Sequence, residues 1–342
     1  MSSIPSSSIQ PPAASPSVHL TQPSYLGPDQ IAALLPMKEA IPLMETAFRS
    51  LAKEECLQPL RNLLWLPDRS GLLGMMPGYI ASPALSAYLG IKVITIFHGN
   101  GPAGLPSHMG LVLLFDAKYG QPLLILEAGE LTAIRTAAAS AVATNVLARE
   151  DAHRLAIIGS GLQAERHIES IIQVRNIRQI DCWGRTPEKA KALAGATAQR
   201  YQIPVNIHPT AEAAVQSADI ICTVTSSREP VLCGDWVPKG AHINAVGSCT
   251  PVTRELDTTA VLKASLFTDR YESLFKEAGE FIIPQKEGRL TEADVKGEIG
   301  EVLTGAKPGR QNKDEITLFK SLGIAVEDLF AAAHIYEKIK KD

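Results

Sequence analysis

No stretch of this chain is apolar for long enough to cross a membrane, which takes about 20 consecutive apolar residues. The nearest candidate, 136–148, is short and rich in alanine. Long runs of one charge are also missing, and the formal net charge is −3. A nucleic-acid partner therefore has no electrostatic support. The most basic stretch, Lys338-Ile339-Lys340-Lys341, reads as a helix end, where cations suit the helix dipole. Cysteine is scarce: Cys56, Cys182, Cys222, Cys233 and Cys249 are odd in number, and none are spaced as CxxC. That argues against a disulfide framework and against a metal site, and it fits a reducing cytoplasm. The first two dozen residues have neither a basic nor an apolar region of the kind a signal peptide needs. Their Ser, Pro and Ala content predicts a disordered tail over 1–24. No internal repeat is present.

What is present is globular composition, 45% apolar and 20% charged, in a length of 342 residues that allows two domains. Apolar residues at helical spacing over 30–53 predict one or two amphipathic helices. Short apolar runs between Gly and Pro follow, at 63–66, 90–97, 110–115 and 122–127. They predict a mainly antiparallel sheet. A helix dense in small residues is expected over 131–147. Then the pattern becomes strand–helix alternation: strands at 154–158, 179–183, 204–207, 220–225 and 242–246, with helices between them. This predicts an α/β Rossmann domain, a doubly wound parallel sheet, over 146–310. A second, α+β domain for substrate and dimerisation would comprise 25–145 and 311–342, with 316–338 a returning helix.

The turn Gly159-Ser160-Gly161-Leu162-Gln163-Ala164 follows a strand and opens a helix inside a βαβ unit. Gly159 permits the tight turn. Gly161 lets the backbone approach a pyrophosphate at the helix N-terminus. A nicotinamide dinucleotide is the ligand this pattern predicts. At the end of the next strand, Trp183-Gly184-Arg185-Thr186 with Lys189 offers cations where an NAD site usually places an acid. Asp181 lies too early in the strand to cap a ribose. Arg185, Thr186 and Lys189 therefore favour NADPH, with NADH the alternative. A solvated Arg and a helix-capping Thr would look the same. Thr223, Thr225, Val246, Gly247 and Ser248 should lie at the carboxyl edge of the sheet, as cofactor contacts or as plain loop.

Seven blocks, in order, resemble the ornithine cyclodeaminase/mu-crystallin family: Gln58-Pro59-Leu60-Arg61, Leu89-Gly90-Ile91-Lys92, Gly104-Leu105-Pro106-Ser107-His108, 131–138, the Gly159 turn, Ile243-Asn244-Ala245-Val246-Gly247, and 317–323 through Glu327-Asp328-Leu329. The resemblance implies a split substrate domain around a Rossmann domain, a homodimer, and a substrate carboxylate held by Arg61, Lys92 and Arg135. Planar Arg forks suit a carboxylate, and a Lys adds a point charge and a proton. His108 would line the cleft or serve as an ordinary polar loop residue. The family's cyclodeaminases and alanine dehydrogenases carry an Asp where this chain has Cys249. A thiol supplies no fixed negative charge there at neutral pH. The ending Pro251-Val252-Thr253-Arg254-Glu255-Leu256 resembles the mu-crystallin and ketimine-reductase branch instead, with Glu255 an acid or, more simply, a helix cap. The expected activity is NADPH-dependent reduction of Δ1-pyrroline-2-carboxylate and Δ1-piperideine-2-carboxylate. An ornithine cyclodeaminase with recycled NAD and a mu-crystallin-like binding protein are the alternatives.

Overall fold

The computed structural model describes residues 22–82 and 85–341. The tail expected over 1–24 thus lies outside the described residues except at its end, where Ser24 opens a strand.

Strand β1 (Ser24–Leu26) precedes helices α1 (Pro28–Leu34) and α2 (Met37–Ala52). Their helical spacing buries Ile31, Met44 and Leu51 against the rest of this layer. Strands β2 (Cys56–Leu57), β3 (Asn62–Trp65), β4 (Leu72–Ser82), β5 (Leu85–Ile96), β6 (His108–Asp116) and β7 (Pro122–Glu127) complete the first sheet. Its order is β1-β7-β6-β5-β4-β2, with β3 also on β4. Every pairing is antiparallel except β1 with β7. Strand β4 was not expected, because Gly74, Pro77 and Gly78 break its apolar run. Alternation sets its neighbour's faces. In β5, Gly90, Lys92 and Ile94 are buried on the inner face, whereas Leu89 on the outer face remains 43% exposed.

Helix α3 (Ala128–Leu147) leads into the second sheet. There follow β8 (Arg154–Ile158), α4 (Leu162–Val174), β9 (Gln179–Trp183), α5 (Pro187–Tyr201), β10 (Val205–Ile207), α6 (Ala211–Val215), β11 (Ile220–Thr223) and β12 (His242–Ala245). A further run adds α7 (Thr258–Lys263), β13 (Ala264–Thr268), α8 (Tyr271–Glu277), α9 (Gly279–Lys286), β14 (Val295–Glu298), α10 (Ile299–Thr304), β15 (Ile316–Lys320) and α11 (Ala325–Ile339). The eight strands run in the order β10-β9-β8-β11-β12-β15-β13-β14, all parallel. This is the expected doubly wound α/β sheet.

Two expectations need correction. The segment 316–338 is not one helix: Ile316-Thr317-Leu318-Phe319 is a β-branched and aromatic run that inserts between β12 and β13. Helix begins only after Gly323. The second sheet therefore reaches past 310, and within 311–342 it is α11 that returns to the first layer, where it packs on β4 and β5. Helix α3 packs on α2 and α11 on one side and on α4 on the other. Being covered on both sides, it carries Ala, Ser and Thr nearly all round.

Candidate active site

Parallel strands put all their carboxyl ends along one edge. The order reverses between β8 and β11, and open α/β sheets bind ligands in the crevice outside such a point. The turn from Gly159 lies there. Gly159 has φ 134°, and its N–H donates to the Trp183 carbonyl at 2.8 Å. A Cβ at Gly159 would sit 2.7 Å from the Val224 carbonyl oxygen, so only glycine fits. Gly161 is the N-cap of α4 and supplies no side-chain cap, and a Cβ there would meet nothing within 4 Å. The first N–H groups of α4 are thus left for an external anion. Ser160 packs over Gly184, where a Cβ would lie 2.8 Å from its hydroxyl oxygen. Leu162 is exposed at the helix start, and the side-chain oxygen of Gln163 is buried without a hydrogen-bond partner.

Arg185, Thr186 and Lys189 are exposed just beyond β9. Thr186 is the N-cap of α5, yet its hydroxyl makes no capping bond. Among the described residues none of the three side chains makes a hydrogen bond or ion pair. Asp181 is buried and occupied: it pairs with Arg154 at 3.1 Å and His208 at 2.8 Å, and accepts from Asn206 at 3.1 Å.

The loops after β11 and β12 are joined by Glu255. One carboxylate oxygen accepts from the Thr225 N–H at 2.6 Å and the Thr225 hydroxyl at 2.7 Å. The other accepts from the Thr223 hydroxyl at 2.9 Å and the Gly247 N–H at 2.6 Å. Glu255 is fully buried, and burial raises its pKa. Its expected role as a helix cap is overturned: Asp257 caps α7 instead, accepting from the Ala260 N–H at 2.7 Å. The side chains of Thr223 and Ser248 are both engaged within the protein. Thr223 is buried on Glu255, and the buried Ser248 hydroxyl is engaged by Thr253 at 2.7 Å. Val246 is half-buried, and Gly247 leaves backbone exposed at the edge. Beneath this edge the fully buried Lys320 pairs with Glu280 at 3.2 Å and donates to the Ser248 carbonyl.

The three expected carboxylate binders come together around the segment 322–328. Lys92 projects from the inner face of β5 and pairs with Asp328 at 2.6 Å. Arg135, from α3, donates through Nε to the other oxygen of Asp328 at 2.9 Å and through Nη1 to Glu327 at 2.6 Å. Arg61, just before β3, pairs through Nε with Glu277 at 3.0 Å. Its Nη2 donates to the Leu322 and Gly323 carbonyls, both at 2.8 Å. Asp269 accepts from the N–H groups of the same two residues, at 2.6 and 2.8 Å. Among the described residues, Nη1 of Arg61 and Nη2 of Arg135 make no hydrogen bond, so each guanidinium keeps one free end. Burial, reinforced by the charges of Arg135 and Arg61, pulls the Lys92 pKa down to about 8 against the pull of Asp328. Burial alone would lower that of Arg135, but Asp328 and Glu327 hold it above its ordinary value. Glu327 is pushed up to about 7 by burial.

The model of the ornithine cyclodeaminase/mu-crystallin family matches residues 26–342. The chain belongs to this family. It is 37% identical over 319 residues to the ketimine reductase mu-crystallin of Mus musculus, a match covering 92% of this chain and 97% of that protein. The structure of Thermococcus litoralis Δ1-pyrroline-2-carboxylate reductase in complex with NADH and L-proline is similar at a TM-score of 0.89 and 38% identity, over 93% of this chain and 97% of that one. An archaeal alanine dehydrogenase dimer with bound NAD has a TM-score of 0.87 and 32% identity, over 93% and 96% of the two chains.

Within this family frame, sequence reasoning missed the acids. Asp269, Glu277, Glu327 and Asp328 were given no role. A Glu-Asp pair in a first helical turn reads as a dipole effect. The available signal was its setting, between Val326 and Leu329-Phe330 on a helix without a polar face in that turn. Cys249 is half-buried and packs against the apolar core beneath the second sheet's edge. His108 is exposed at the start of β6, its Nδ1 2.9 Å from the Ser107 hydroxyl. No helix of the described residues is long and apolar enough to cross a membrane.

Proposed function

We propose that this protein reduces cyclic imino acids, Δ1-pyrroline-2-carboxylate and Δ1-piperideine-2-carboxylate, to L-proline and L-pipecolate with a nicotinamide dinucleotide. The observation that carries this reading is the cation cluster. Two guanidiniums with free ends flank a buried lysine, and Arg61 holds the loop that leaves the carboxyl end of β15, in the same sheet as the Gly159 turn. A small carboxylate completes that cluster better than water does. The relatives named for ketimine and Δ1-pyrroline-2-carboxylate reduction point the same way.

The crevice fits the dinucleotide. The uncapped start of α4, with open space over Gly161, suits the pyrophosphate. The unpartnered Arg185, Thr186 and Lys189 suit a 2′-phosphate, and we favour NADPH over NADH on that ground. When bound, the reduced nicotinamide supplies hydride to the imine carbon. The protein's own residues do the rest. Arg61 and Arg135 would orient the substrate carboxylate, and orientation of this kind is worth much of the rate. Lys92, with its pKa near 8, is charged at neutral pH and holds a proton on Nζ for the ring nitrogen. Cys249, where relatives acting on amines carry Asp, provides no fixed anion to seat an ammonium.

The quaternary reading is a homodimer. The outer side of the first sheet exposes Leu64, Leu89 and Leu111 at 62%, 43% and 40%. A patch of this kind on a one-sided sheet marks an interface.

The test is a panel of cyclic imines, α-keto acids with ammonia, and ornithine, each with NADPH and with NADH, followed at the nicotinamide absorbance. Oxidation with the cyclic imines is expected, faster with NADPH. No oxidation with any imine contradicts the reading. Ammonia release from ornithine without net cofactor turnover would make the protein a lyase.

A further inference from the structure

We propose that Asp328 and Glu327 are positioning residues, an acidic pair that sets the spacing and the angle of Lys92 and Arg135 for the substrate carboxylate. This deepens the imino-acid reading above and rests on it.

The two cations come from different elements, β5 and α3, and their charges repel. A carboxylate between them is needed to hold them at one site. Asp328 does this with one oxygen each: Oδ2 lies 2.6 Å from Lys92 Nζ and Oδ1 lies 2.9 Å from Arg135 Nε. Glu327 takes Nη1 of the same guanidinium at 2.6 Å. A guanidinium is planar and rigid, so two fixed donors fix the third. With Nε and Nη1 held, Nη2 has one direction left, and it is the end without a protein partner among the described residues. Both acids are fully buried in the first turn of α11.

The alternative is a purely structural ion-pair cluster. Such clusters are poor stabilisers, because desolvating the charges offsets their attraction. This one also leaves Oε1 of Glu327 buried with no hydrogen-bond partner. A cluster arranged for stability alone would satisfy that oxygen. Around Glu327 stand Arg135, Asp269 and Asp328, and around Lys92 stand Arg135, Arg61 and Asp328. The balance of charge in the site therefore runs through the acidic pair.

The experiment compares Asp328→Asn, Asp328→Glu and Glu327→Gln with wild type in three measurements: KM and kcat for the cyclic imine, dinucleotide affinity, and titration of the Lys92 Nζ by nitrogen NMR. In Asp328→Asn, KM is expected to rise roughly ten- to hundredfold, the scale of a misplaced binding group. Dinucleotide affinity should be unchanged, and the Lys92 midpoint should fall. Asp328→Glu should recover part of the KM. Glu327→Gln, which keeps the bridge, should raise KM without moving Lys92. An unchanged KM in Asp328→Asn, or an unchanged Lys92 midpoint, overturns the proposal. Should Asp328→Asn fail to fold, Glu327→Gln decides by the same KM criterion. If wild type does not turn over cyclic imines, the imino-acid reading falls, and the Lys92 titration in Asp328→Asn still decides whether the acid sets the state of the lysine.

Discussion

Lys92 carries the sharpest consequence at the scale of single residues. Its pKa near 8 lies below that of a free lysine, so it loses its charge as pH rises through 8. On the proposed function, the clamp then loses one cation and the imine its proton donor. The alkaline limb of kcat/KM should fall near pH 8, and Lys92→Arg, which stays charged, should move that limb upward while lowering kcat. Glu327 gives a stability effect of defined sign. Its pKa is raised from 4.5 to about 7, so between those values the folded chain holds a proton that the unfolded chain has released. Stability must then fall as pH rises through that window. Thermal unfolding of Glu327→Gln should show a flatter dependence between pH 5 and 7 than wild type. Arg185 tests the cofactor. A charge-assisted hydrogen bond contributes about 1.5–3 kcal/mol. Arg185→Ser should therefore raise the KM for NADPH roughly ten- to hundredfold and leave that for NADH nearly unchanged. Equal effects on both would remove its proposed role.

Elements meet in this site because glycines let them. Helix α11 lies so close to β4 and β5 that a Cβ at Gly90 would be 2.3 Å from Leu329 Cδ2 and 2.6 Å from the Leu113 carbonyl oxygen. At Gly78 it would be 3.0 Å from Leu329 Cδ1. That approach brings the first turn of α11 onto Lys92, two residues along the same face of β5. Gly90→Ala forces the helix outward and, as overpacking, costs about 1–3 kcal/mol. It should lower the melting temperature and raise KM for the imine together, while dinucleotide affinity holds, since the Gly159 turn belongs to the other sheet. A similar constraint acts at the end of β15. Gly323 has φ 70°, and a Cβ there would sit 2.6 Å from Arg135 Nη1. The loop is fixed from above by Arg61 and from below by Asp269, so any larger residue displaces the guanidinium.

Across the whole molecule, the sequence was most readable where physics is local. The βαβ alternation from Arg154 onward, the small-residue helix around Arg135 and the glycine turn at Gly159 all follow from period and turn chemistry. Strand β4 was hidden by its glycines and proline, and of these Gly78 admits α11, a segment far along the chain. The strand Ile316–Lys320 was hidden because its short apolar run resembles the start of the helix that follows. In the site, Arg61, Lys92 and Arg135 were legible through the family resemblance. Their acidic partners were not, since an acid's partner across the fold leaves no mark in local spacing. Glu255 was misread for the same reason: its four hydrogen bonds come from two other strands' ends. On the proposed function, these cations present an imino acid's ring carbon to the nicotinamide. The most direct measurement uses NADPH carrying deuterium at both C4 positions of the nicotinamide, with Δ1-pyrroline-2-carboxylate as substrate and mass spectrometry of the product. L-proline with a single deuterium on the α-carbon is expected. Proline without deuterium, or no proline at all, would contradict it.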